Sequence, residues 1–71
     1  MATVIARLNG RIVFTRDYEA GWVAGERTIR QGTSAIVTRV YEGLFGDVTH
    51  VDVRLADGTR LTEVEIDYFS V

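Results

Sequence analysis

The chain has no cysteine, no proline and no lysine, and one histidine, one tryptophan and one methionine among its 71 residues. Without cysteine it forms no disulfide and no thiolate metal site, and with His50 alone it builds no multi-histidine centre within one chain. All eight basic residues are arginine, and the net charge of −2 gives no reason to expect a nucleic-acid partner or an anionic membrane. No apolar run approaches the ~20 residues that cross a bilayer. The opening Met1-Ala2-Thr3-Val4-Ile5 lacks the basic and apolar regions of a secretion signal, so a cytoplasmic place, or one within an intracellular or virion assembly, is expected. Phosphate-loop, nucleophile-elbow and zinc patterns are absent, and no cofactor is expected.

What the chain has is alternation. At 46% apolar it is too hydrophobic for disorder, and its length suits one domain. A domain this small buries only about 60% of the surface its unfolded chain exposes. With disulfides and metal set aside, oligomerisation or docking on a partner is the remaining aid to stability.

Five segments read as strands. Val51, Val53 and Leu55 alternate with His50, Asp52 and Arg54, then Asp57-Gly58 supplies a hairpin turn. Beyond it, Leu61 falls on odd positions and Val64, Ile66 and Tyr68 on even ones. A strand whose apolar face changes parity contains a bulge, placed at Thr62-Glu63. Upstream, Ala35–Tyr41 is a strand and Glu42–Asp47, with Gly43 and Gly46, is a turn. At the start, Asn9-Gly10 between Thr3–Leu8 and Arg11–Arg16 predicts a two-residue type I′ hairpin, with Leu8 facing Arg11, Ala6 facing Val13 and Ile5 facing Phe14. Asp17–Gly32 has no clean period and carries Gly21, Gly25 and Gly32. It reads as a long, partly ordered loop bearing Tyr18 and Trp22.

The stretch Gly32-Thr33-Ser34-Ala35-Ile36-Val37-Thr38-Arg39-Val40-Tyr41, followed by Val51-Asp52-Val53-Arg54-Leu55-Ala56-Asp57-Gly58, resembles strands of small barrels of the Src-homology-3-like kind, including the KOW and Tudor types. The likeness spans Arg11 to Val71. It implies an all-β fold: a small five-stranded Src-homology-3-like barrel preceded by an N-terminal β-hairpin. Such barrels host many functions.

Functional readings follow from residue type and spacing. In such barrels a long loop forms one wall of a groove, so Tyr18 and Trp22 stand as interface residues, with Tyr41 and Phe45 as an opposite wall. Aromatic residues dominate binding hot spots, although Trp22 equally suits a lid over a small core. A cage for a methylated cation would need several such rings to converge. Glu63, Glu65 and Asp67, spaced by two, form an acidic stripe on a strand, either a solvated face or a site for a partner's arginines. Catalysis by His50 needs a carboxylate in reach, and Asp52 shares its face. Both faces of the N-terminal hairpin are apolar, so Ile5, Ile12 and Phe14 are expected to meet another copy or another protein. The expected role is a non-enzymatic subunit or adaptor in protein–protein assembly. The alternatives are a KOW-like barrel binding nucleic acid through Arg27, Arg30 and Arg39, and an enzyme whose site forms only at an oligomer axis.

Overall fold

The computed structural model describes residues 6–22 and 25–71, with the side chains of residues 21–27 outside that description. The fold is all-β. The strands are β1 (Arg11–Phe14), β2 (Tyr18–Trp22), β3 (Gly25–Ile29), β4 (Ser34–Glu42), β5 (Val48–Leu55), β6 (Arg60–Glu65) and β7 (Phe69–Ser70), with one 3-10 turn at Ile66–Tyr68 before the last of them. Five strands form one sheet in the order β6-β5-β4-β1-β7, and β2 pairs with β3 in a second, two-stranded sheet.

Period-two burial explains the large sheet. Ile12 and Phe14 of β1, Ala35 and Val37 of β4, Val51, Val53 and Leu55 of β5, and Leu61 and Val64 of β6 share one core with Phe69. Their alternates are exposed or half-buried, Arg11, Arg54 and Arg60 being among the exposed ones. The β5–β6 connection is the expected Asp-Gly hairpin. Gly58 takes φ 89°, its N–H donates to the Leu55 carbonyl, and the Asp57 carboxylate accepts the Thr59 N–H at 2.9 Å. Only a residue without Cβ adopts that φ without strain.

The parity change also stands as read. Val51 pairs with Val64 and Val53 with Leu61, so β6 inserts one residue where β5 does not. Glu63 takes φ 51° there, and its N–H donates to Asp52 Oδ1 at 2.9 Å. The bulge lets Leu61 and Val64 face the same core despite opposite parity. Left-handed backbone costs a residue with a Cβ roughly 1–2 kcal/mol. Replacing Glu63 by glycine removes that strain and adds unfolded-state entropy. A net gain of about 0.5 kcal/mol is expected, a rise in Tm of roughly 2–4 °C, whereas Glu63→Val should lower it. Thermal melting followed by far-ultraviolet dichroism distinguishes the two.

Two sequence expectations change. The N-terminal hairpin is not formed in its described part. Ala6 and Leu8 lie in no strand, and β1 takes other partners: Val13 faces Ser34 and Ser70, and Phe14 faces Phe69. Asn9 takes φ 66° and Gly10 does not join it at positive φ, so the turn is not type I′. The Gly10 N–H instead closes a turn on the Arg7 carbonyl at 2.8 Å, and Asn9 N–H and Gly10 C=O both bond to Val37 of β4. A local hairpin loses here to two neighbours that together satisfy both edges of β1. The Ile5 pairing lies outside the described residues.

The second change concerns the long loop, which is a hairpin. Tyr18 pairs with Ile29 and the ladder runs to Trp22 opposite Gly25. Ala20 and Ile29 are buried against the core. Glycine weakens helices, but Gly21 and Gly25 occupy the far end of a ladder whose base holds the apolar contacts. Asp17 accepts the Gln31 N–H at 2.8 Å and ties that base.

Candidate functional site

The expected interface residues divide sharply. Ile12 is 0% and Phe14 1% exposed, so both belong to the chain's own core and offer no surface to a partner. The expectation that they form an interface is therefore corrected: the face they occupy is the interior that β4, β5 and β7 close. Ile5, and the side chain of Trp22, lie outside what is described. Tyr18 is half-buried at the start of β2. Its ring sits 5.9 Å from that of Phe14 and meets Tyr68 edge-on at 5.0 Å. Arg16 lies over the Tyr68 ring at 5.4 Å. Tyr68, which the sequence reading assigned to a strand, reaches Tyr18 because the 3-10 turn re-aims it.

Tyr41 is elsewhere in the fold. It lies on β4 opposite His50, its hydroxyl donates to Asp52 Oδ2 at 3.1 Å, and Arg39 covers its ring at 4.9 Å. Among the described residues Tyr41 and Tyr18 share no ring contact, so the two do not converge as one aromatic cage. Asp52 accepts from both Tyr41 and the Glu63 N–H, which makes it a cross-strand brace. His50 does not use it: His50 Nδ1 lies 3.0 Å from Thr49 Oγ1. The acidic triplet is not one strand face either. Glu63 sits at the bulge and Asp67 in the 3-10 turn, so only Glu65 has the extended setting expected. Glu65 and Asp67 instead line an open cleft of about 560 Å³ with Asp47 and His50. No cluster of three or more His, Asp or Glu among the described residues is placed to hold a metal ion.

Burial raises the Tyr18 pKa above 10.0, with the neighbouring Tyr68 and Glu65 adding to it. Desolvation, then donation to Asp52, raises that of Tyr41. A phenol whose folded pKa is raised ionises first in the unfolded chain. The stability it contributes is whole below the unfolded value of about 10 and is lost as pH rises through the folded value. Phenolate absorbance should therefore develop late in the native protein, and stability should fall above about pH 10. Tyr41→Phe should remove one of the delayed waves; a native titration matching free tyrosine would contradict this.

Phe45 remains, and with it Leu44. They form the apex of the β4–β5 hairpin and are 91% and 99% exposed. The Gly43 N–H donates to the Asp47 carbonyl at 2.8 Å, the Gly46 N–H to the Gly43 carbonyl at 3.1 Å, and Gly46 takes φ 79°. The turn is thus hydrogen-bonded and presents Leu44-Phe45 between Glu42 and Asp47. The sequence reading named Phe45 but passed over Leu44. The signal was available: polar residues normally occupy such turns, and here two large apolar ones stand side by side. No family model, curated protein or solved structure matches this chain.

Proposed function

We propose that this chain is a non-enzymatic small barrel of the Src-homology-3-like kind that serves as a subunit or adaptor in a protein assembly, docking through the β4–β5 apex. The barrel reading is supported by the strand order β6-β5-β4-β1-β7 and by a β4 that pairs with β1 at its start and with β5 along its length. A 3-10 turn leading into the final strand agrees with it. The setting that fits such a role is a large cytoplasmic or virion complex.

The exposed Leu44-Phe45 pair carries the functional reading. At 99% and 91% exposure these side chains add almost nothing to the stability of their own fold. Burying a Leu or Phe side chain is worth about 1.5–3 kcal/mol each, so the pair offers roughly 3–6 kcal/mol of gross gain to a partner that covers it. Single exposed apolar residues are ordinary; an adjacent pair held on a hydrogen-bonded turn is a contact element.

The test is the native mass in host extract of wild type and of Leu44→Ser/Phe45→Ser. Wild type should run within an assembly, and the variant at the 7.9 kDa monomer mass with unchanged melting. Equal masses for the two would refute the apex as the docking element.

A further inference from the structure

The opposite end of the same hairpin carries a surface complementary to its apex. In register across the large sheet, Arg11 faces Ile36, Ile36 faces Arg54 and Arg54 faces Arg60. Neighbouring strands lie about 5 Å apart, so the row places three guanidinium-bearing residues within four strand positions on the outer face, with half-buried Ile36 between two of them. All three arginines are exposed. Beside the row is a slot of about 360 Å³, bounded by Arg11 and Arg54 and lined by Ile36, Leu55 and Ala56. It is an apolar depression with positive rims.

The apex has the inverse pattern. Leu44-Phe45 is apolar, and Glu42 and Asp47 stand on either side, both exposed. Guanidinium and carboxylate pair through charge-assisted, bidentate hydrogen bonds, and the apolar pair matches the slot floor. The apex cannot reach its own slot. From Ile36 to Glu42 the strand runs six residues, roughly 20 Å at the rise of extended chain. A different molecule must supply it.

We infer that a second copy of this chain docks its β4–β5 apex, Leu44-Phe45 flanked by Glu42 and Asp47, into the Arg11–Ile36–Arg54 slot. The inference rests on the apex being a docking element and adds what it docks into. The contact is head-to-tail. Each copy therefore keeps one free apex or one free slot, and the series closes as a ring or continues as a filament. Carboxylate–guanidinium pairs at the rim make the association weaken with added salt, while the apolar centre limits that loss.

Complementary variants test this in purified protein. Wild type should self-associate, by sedimentation, at up to millimolar concentration. Leu44→Ser/Phe45→Ser, with an intact slot, and Arg54→Glu, with an intact apex, should each weaken association by roughly tenfold or more. An equimolar mixture should restore a one-to-one dimer that grows no further, which also shows that both variants are folded. A strictly monomeric wild type overturns the inference. So does an Arg54→Glu chain that associates like wild type, the outcome of apex-to-apex contact, or a mixture that stays monomeric. Nucleic acid as the true occupant is read by adding a short single-stranded oligonucleotide: binding lost in Arg54→Glu, with no self-association, also overturns it. If purified wild type is monomeric yet the apex variant loses its assembly in host extract, the slot inference falls and the apex reading stands. If the apex variant changes neither, both fall.

Discussion

Phe14→Ala is expected to remove between about a third and all of the chain's folding stability, the largest loss of any single truncation considered. The ring is 1% exposed and packs at the junction of β1, β2 and β7, against Tyr18 and opposite Phe69. Truncating a buried phenylalanine to alanine costs about 3–5 kcal/mol, through lost transfer energy and the cavity left behind. A domain of 71 residues holds roughly 4–10 kcal/mol in all, at 0.05–0.15 kcal/mol per residue. The loss therefore takes from just under a third of the stability to all of it. Denaturant unfolding followed by dichroism reads the result. The same measurement separates core from interface: an interface residue would lose association and keep its folded midpoint. A Phe14→Ala chain that melts like wild type would return Phe14 to the surface and void the packing described above.

Asp52→Ala carries the next largest effect. One carboxylate bridges the bulge of β6, through the Glu63 N–H, and the Tyr41 hydroxyl on β4. Hydrogen bonds to a charged group are worth about 1.5–3 kcal/mol when buried. Asp52 is half-buried, so solvent competes for both bonds. The expected cost is about 2 kcal/mol, a Tm lowered by roughly 8–16 °C. The distinctive sign is local: the Glu63 amide should exchange its hydrogen faster than its β6 neighbours do. Asp52→Asn keeps an acceptor for that amide and should cost less than half as much. If Asp52→Ala leaves both melting and Glu63 exchange unchanged, the brace contributes nothing.

Legibility in the sequence followed the range of the interaction. Local signals served well. Asp57-Gly58 marked a turn because the positive φ it needs is a property of glycine itself. The parity change from Leu61 to Val64 marked the bulge because one core accepts both side chains only if a residue is inserted between them. Asn9-Gly10 failed although it is as strong a hairpin signal as Asp57-Gly58. Its flanking strand β1 was claimed from both sides by β4 and β7, which lie 20 or more residues along the chain, and their combined hydrogen bonds and burial outweigh one local turn. The glycines of residues 17–32 were read as loop because their helix penalty is known residue by residue, whereas the ladder that tolerates them requires Ala20 and Ile29 to find the core.

The same division governs the site. Phe45 was legible as a turn residue because Gly43 and Gly46 flank it, whereas its 91% exposure came only from the structure. Ile12 and Phe14 were misplaced outward because an apolar residue shows its hydrophobicity in the sequence but not which of two faces becomes the interior. The arginine row was invisible, for Arg11, Arg54 and Arg60 are scattered in sequence and become neighbours only through the register of four strands. By itself the sequence determined the all-β class, the β5–β6 turn and the bulge, because each depends on the intrinsic geometry of a few adjacent residues. The tertiary structure alone decided which apolar face is buried, that Asp52 braces Tyr41 and Glu63, and that three distant arginines share a surface, because strand pairing brings together residues with no local reason to meet.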